Sequence, residues 1–112
     1  MSQHRKHRGY ESQRIVADYL KTHGWPFAEP VGAGRPGADI TGTVTLAVEV
    51  KARSGFDPAA ALRQAEDAAD GRLPFVVLRL NGQGPASVEE WPVVIRLGRF
   101  VEVLREAGYG SD

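Results

Sequence analysis

"GADITGTVTLAVEVKAR", residues 37–53, is the stretch on which the reading of this chain turns. Apolar and polar residues alternate on either side of a Thr-Gly turn, which predicts a β-hairpin. In its second arm, VTLAVEVK, successive side chains face opposite ways. Val44, Leu46, Val48 and Val50 then line one face, and Thr45, Ala47, Glu49 and Lys51 the other. Glu49 and Lys51 are same-face neighbours about 7 Å apart along the strand. Asp39 stands in the first arm between Ala38 and Ile40, a strand position where Asp is disfavoured. It can approach the Glu49 face if the hairpin bends or its strands splay. A solvated strand face with an ordinary Glu-Lys pair accounts for Glu-Val-Lys alone. Two carboxylates on adjoining strands are more specific, because they form the anionic, oxygen-rich setting that Mg²⁺ prefers. A lysine beside them can orient or deprotonate water and stabilise charge developing at phosphorus.

Working outward, GAGRPG before the hairpin can only be a loop, with three Gly and one Pro in six residues. It precedes a strand and does not open a helix, so it is not a nucleotide-binding glycine loop. WPFAEPV is a short, Pro-limited edge strand. Before it, GYESQRIVADYLKTHG places Ser12, Ile15, Val16, Tyr19 and Leu20 on one side at helical spacing and stops at Gly24. After the hairpin, DPAAALRQAEDAADG has Asp57 as N-cap, Pro58 at the first helical position and Gly71 past its end. PFVVLRL reads as a strand covered on both faces, NGQGPASVEEW as a turn-rich loop, PVVIRL as a strand and RFVEVLREAG as a closing amphipathic helix. The order is α-β-β-β-α-β-β-α, an α/β fold with a mixed β-sheet flanked by helices. Trp25 and Trp91 each precede a Pro at a strand entrance, where packing is their usual role.

A chain of 112 residues is one domain that can bury a core without staples. The absence of cysteine excludes disulfides and thiolate metal sites. His4, His7 and His23 are too far from any paired acid or Cys to suggest a zinc site. No apolar run nears the roughly 20 residues of a bilayer span, and MSQHRKHRGYE lacks the apolar centre of a signal peptide. The expectation is a soluble, cytoplasmic protein. Fourteen basic and fourteen acidic side chains cancel, but Arg5, Lys6, Arg8, Arg14 and Lys21 crowd the amino end with His4 and His7. A basic arm at about 1–9 thus leads into a neutral body.

With nine residues between Asp39 of GADI and Glu49 of Glu-Val-Lys, the chain resembles the PD-(D/E)XK nuclease superfamily, with its Asp-x(n)-Glu-x-Lys signature, and the element order matches that superfamily's restriction-endonuclease-like core. The opening RGYESQRIVADYLKTHGW and the Gly/Arg loop are most similar to archaeal-type Holliday junction resolvases. The resemblance implies that Glu11 of helix one, Asp39, Glu49 and Lys51 are catalytic. Glu11, Asp39, Glu49 and the Val50 carbonyl would hold Mg²⁺, for which Mn²⁺ can substitute. Helical geometry puts Glu11 about 110° from the centre of the apolar stripe, at the border from which a side chain can reach over a sheet edge. Arg14 lies further towards solvent, placed to meet a phosphate. The loop lacks the Ser that many resolvases carry there, leaving Arg35 for a phosphate contact. Gln64 has Ala68 where some branches place a Tyr one turn on.

The activity implied is Mg²⁺-dependent hydrolysis of branched DNA, with Arg5, Lys6, Arg8, Arg14, Arg35 and Arg53 on the backbone. Two alternatives stand beside it: a restriction-like or repair nuclease acting on duplex, flap or single-stranded DNA, and a catalytically silent DNA-binding module of the same fold. Two symmetric scissile strands call for a homodimer. Val93, Ile95, Phe100, Val103 and Leu104 are its candidate apolar surface.

Overall fold

The computed structural model describes residues 3–32, 37–52, 55 and 57–111, with side chains described from residue 8 onward. The expected element order is present: α1 (Gln3–Lys21), β1 (Glu29–Pro30), β2 (Ile40–Thr41), β3 (Leu46–Lys51), α2 (Pro58–Asp67), β4 (Leu73–Leu78), β5 (Val93–Val94) and α3 (Leu97–Glu106). A 3-10 segment, Pro85–Glu90, occupies the expected loop between β4 and β5. No helix among the described residues is long and apolar enough to cross a membrane.

The strands divide into two sheets. β1 and β2 pair antiparallel, and a separate mixed sheet has the order β3-β4-β5. β3 and β4 run parallel in a six-residue register from Leu46↔Leu73 to Lys51↔Leu78. β5 closes antiparallel on β4 through Val76↔Val94 and Val77↔Val93. Parallel neighbours need a crossover, which α2 supplies. Asp57 caps that helix by accepting a hydrogen bond from the Ala59 N–H at 3.0 Å, with Pro58 next in line. Past its far end the Arg72 guanidinium donates to the Ala68 and Ala69 carbonyls, the second of which also accepts the Arg72 N–H.

Both faces of the three-stranded sheet are covered. On one, Val48 and Val77 pack with Val16 and Ala17 of α1, Ile40, Leu46 and Trp91. On the other, Val76 and Leu78 pack on Ala61 and Leu62 of α2. β4 is thus the doubly covered strand that its β-branched run predicts. The buried stripe of α1 is centred on Ser12, Gln13, Val16 and Ala17, with Ile15 and Leu20 half-buried against the same core. Tyr19 instead stacks on His23 at 4.1 Å. The helix extends back to Gln3, so much of the expected basic arm is helical. It ends where the Trp25 N–H reaches back to the Leu20 carbonyl at 3.0 Å across Gly24, at φ 117°.

Residues 37–53 differ from the expected hairpin. Thr43 is buried, and its hydroxyl donates to the Leu46 carbonyl while its own carbonyl accepts from the Leu46 N–H. These two bonds close a tight turn that pushes Val44 out of line with the strand. Val44 is 80% exposed at φ 23°, where the alternation had put it on the inner face. Gly42, at φ 77°, lies so close to the Phe27 carbonyl that a Cβ would fall 1.9 Å from its oxygen. β2 is therefore drawn to β1, away from a ladder with β3.

Candidate functional site

Strand alternation also fixes which groups meet at the splayed edge between β2 and β3. Every second residue of a strand directs both N–H and C=O to the same side. Val48 and Val50 of β3 face β2, whereas Lys51 faces β4, where its carbonyl accepts from the Arg79 N–H. The Asp39 N–H donates to the Val48 carbonyl at 3.0 Å. One position on, the Val50 N–H donates to Asp39 Oδ2 at 2.8 Å. A side-chain oxygen has taken the place of a backbone acceptor, so the strands part here and the carboxylate lies in the gap. The Val50 carbonyl points into that gap too.

Glu49 follows the opposite parity. In a parallel ladder registered residues share a face, so Glu49 and Lys51 emerge with Val76 and Leu78 on the α2 face. Glu49 is 6% exposed, an unusual position for a carboxylate. Lys51 Nζ lies 3.3 Å from Glu49 Oε2. Burial raises the Asp39 carboxyl above its ordinary range, opposed by the Val50 N–H and the Lys51 charge. Burial also raises Glu49, the neighbouring Asp39 raises it further, and Lys51 opposes both. One ammonium therefore faces a buried and a half-buried acid. The set has spare negative charge and hard oxygens at hand, which suits Mg²⁺ and not a soft metal. Asp39, Glu49 and the Val50 carbonyl could hold such an ion.

Glu11 is elsewhere. Its Oε1 accepts from Arg79 Nη1 at 2.6 Å on the α1 side of the sheet. That bond and the Arg79 charge hold its carboxyl below the ordinary value, with a smaller contribution from Arg8. Among the described residues, no group of three or more His, Cys, Asp or Glu side chains converges as a metal cage. The structure thus joins Asp39, Glu49 and Lys51 and leaves Glu11 apart. The reason is parity: Arg79 lies one residue beyond Leu78 and so faces away from the side that Glu49 and Lys51 share.

The basic candidates also separate. Arg8 donates from Nε to the Ala52 carbonyl at 3.1 Å, which places it beside the end of β3. Arg14 is engaged at the other flank of α1, with Tyr10 Oη at 3.1 Å and Glu29 Oε1 at 3.4 Å. The side chains of Arg5 and Lys6, and the whole of Arg35 and Arg53, lie outside the described residues. Gln64 is an exposed residue of α2.

Arg79 is the residue that sequence reasoning passed over. Its side chain is only 7% exposed. A charge inside the apolar run PFVVLRL is the same kind of signal that singled out Asp39 and Glu49. Comparison of the chain with protein-family models, with curated proteins and with solved structures finds no match.

Proposed function

We propose that the protein is a Mg²⁺-dependent DNA endonuclease, acting on branched DNA of the four-way junction type. The observation that carries this reading is the pair of neighbouring carboxylates, buried Glu49 and half-buried Asp39, with Lys51 3.3 Å from Glu49. Burying two like charges side by side is costly, and a divalent cation removes that cost. Bound there, Mg²⁺ would supply Lewis-acid polarisation of the phosphoryl group and a more acidic water. Asp39 is fixed for its part by the Val50 N–H, and Glu49 by burial within β3. Lys51 stays on the Glu49 side, where its ammonium orients the attacking water and offsets charge gathering on phosphorus. Arg8, beside the end of β3, meets the DNA backbone without reading bases, which suits selection by DNA shape. The resemblance of this chain to nucleases of the PD-(D/E)XK type supports the same chemistry, and the lack of cysteine in the sequence fits a cytoplasmic setting. The test is nicking of a four-way junction in Mg²⁺ against EDTA, with linear duplex, flap and single-stranded DNA alongside. Cleavage in neither condition, with DNA still bound, would leave a silent DNA-binding module. That second reading draws on the position of Glu11, which Arg79 holds apart from the acidic pair.

The same reading includes a homodimer, because two scissile strands need two sites about a twofold axis. Its support is the carboxy-terminal surface. No residue of α3 is buried, and Leu97, Val93 and Phe100 are 76%, 50% and 44% exposed. An open groove of about 740 Å³ lies among Leu73, Phe75, Val93, Val94, Ile95, Phe100 and Val103. Apolar surface of this kind on a small protein marks a docking face. A monomeric mass by light scattering at micromolar concentration, with and without junction DNA, would count against the dimer.

A further inference from the structure

Arg79 is an arginine almost closed off from water, and of its side-chain partners only Glu11 is largely exposed. Its Nε donates to the Gln83 carbonyl at 2.9 Å, and its Nη1 donates to Ser12 Oγ at 3.1 Å. Its guanidinium carbon lies 5.4 Å from the centroid of the Trp91 ring, a cation–π arrangement. The Ser12 hydroxyl is free to accept because its own proton goes to the Arg8 carbonyl at 2.7 Å. The Arg79 backbone is tied as well, through its N–H to the Lys51 carbonyl at 2.8 Å. Glu11 is its solvent-facing partner. With a side chain 58% exposed, Glu11 can change rotamer without opening the core. Its backbone is nonetheless held near the end of β3, since Arg8, one turn earlier on α1, is bonded to the Ala52 carbonyl.

Two cationic demands therefore fall on one carboxylate. A buried guanidinium needs a counter-charge. A Mg²⁺ ion held by Asp39, Glu49 and one carbonyl has fewer oxygens than the six it favours, and would otherwise fill the rest with water. We propose that Arg79 is a positioning residue that competes with the divalent cation for Glu11, holding that carboxylate in the metal-free protein and releasing it over the end of β3 when the metal binds. This rests on the metal-site reading of Asp39 and Glu49. It assigns Arg79 a role in setting metal affinity beyond pinning α1 to β4. A purely structural ion pair would leave Glu11 on Arg79 in both states.

The experiment is a Mg²⁺ titration of the whole chain without DNA, following the side-chain carboxyl ¹³C signals and the Arg79 Nε–H signal by NMR. The expected result is that Glu11 and Arg79 respond with the same midpoint as Asp39 and Glu49. Response of Asp39 and Glu49 with Glu11 and Arg79 unmoved would overturn the competition and leave the metal site intact. Silence of all four groups would remove the metal site itself, and the competition with it. As a second arm, Arg79→Met should tighten Mg²⁺ binding by about two- to five-fold, the range an exposed ion pair commands. That tightening should vanish in a Glu11→Gln background. Weaker Mg²⁺ binding by Arg79→Met, or equal tightening in both backgrounds, would contradict the proposal. If Arg79→Met does not fold, the wild-type titration still decides.

Discussion

Glu49 and Glu11 belong to opposite faces of one sheet, and their surroundings act on them in opposite directions. Glu49 is buried, with a second acid and one lysine beside it, and burial and the neighbouring acid raise its carboxyl. Glu11 is largely exposed and rests on a buried guanidinium, so its carboxyl is lowered. The first arrangement is unfavourable to the fold while the acids are ionised, and nothing about packing requires it. The second compensates a charge that the core already contains. Acids held at a cost suggest use, whereas the first role of an acid that neutralises a buried cation is to balance that charge.

The largest effect expected from this contrast is on catalysis. Asp39→Asn keeps the acceptor for the Val50 N–H and removes a charge, so Mg²⁺-dependent cleavage should fall by orders of magnitude, read by single-turnover nicking. Junction binding without metal should persist or tighten, because a negative charge facing the phosphates is gone. Lys51→Ala should likewise abolish cleavage while weakening DNA binding slightly. Cleavage at the normal rate in either variant would return Glu-Val-Lys to an ordinary strand face.

Next comes stability. Arg79→Ala loses two side-chain hydrogen bonds to fixed acceptors and the stacking on Trp91, and should cost about 3 kcal/mol in urea unfolding. A cost within the range of a surface substitution, about 0.5 kcal/mol, would dissolve the distinction drawn above.

A smaller effect, but opposite in sign for the two faces, is expected with pH. Asp39 and Glu49 have folded-state pKa values raised above those of the unfolded chain, so the folded protein binds more protons there. Their contribution to stability is therefore present at low pH and lost as pH rises through the raised values. Glu11 has a lowered value, so its contribution is present above the unfolded pKa and is lost as pH falls through the folded one. Comparing unfolding of wild type with Asp39→Asn and with Glu11→Gln across pH 3–7 should flatten one limb in each variant. A stability that rises with pH on account of Asp39 would contradict the electrostatics assigned to the pair. The smallest effect is expected at Arg14. Already engaged with Tyr10 and Glu29, Arg14→Gln should leave the salt slope of junction binding nearly unchanged, whereas Arg8→Gln should reduce it by about one.

The order of elements and the burial of β4 on both faces follow from local signals. Asp57-Pro58 opens a helix wherever it occurs before a helical run, and a β-branched strand such as FVVL has few other places to go. The two carboxylates were legible as charges set into apolar alternation. Arg79 carried the same signal within a strand and was legible by the same rule. What the sequence did not disclose was non-local. Thr43 captures both backbone groups of Leu46, and Gly42 packs on Phe27, so β2 joins β1 and the expected hairpin does not form. The position of Glu11 was equally hidden, because helical periodicity puts it at a border without naming the partner 68 residues away that claims it.

Whether Asp39 and Glu49 are a metal site can be read without any DNA at all, from urea unfolding of wild type and Asp39→Asn with and without Mg²⁺ at neutral pH. Wild type should gain stability with Mg²⁺ in step with log concentration above the dissociation constant, by the linkage that binding to the folded state imposes. Without metal, Asp39→Asn should be at least as stable as wild type, and Mg²⁺ should add little to it. Equal stabilisation of both proteins by Mg²⁺, or of neither, would contradict the account.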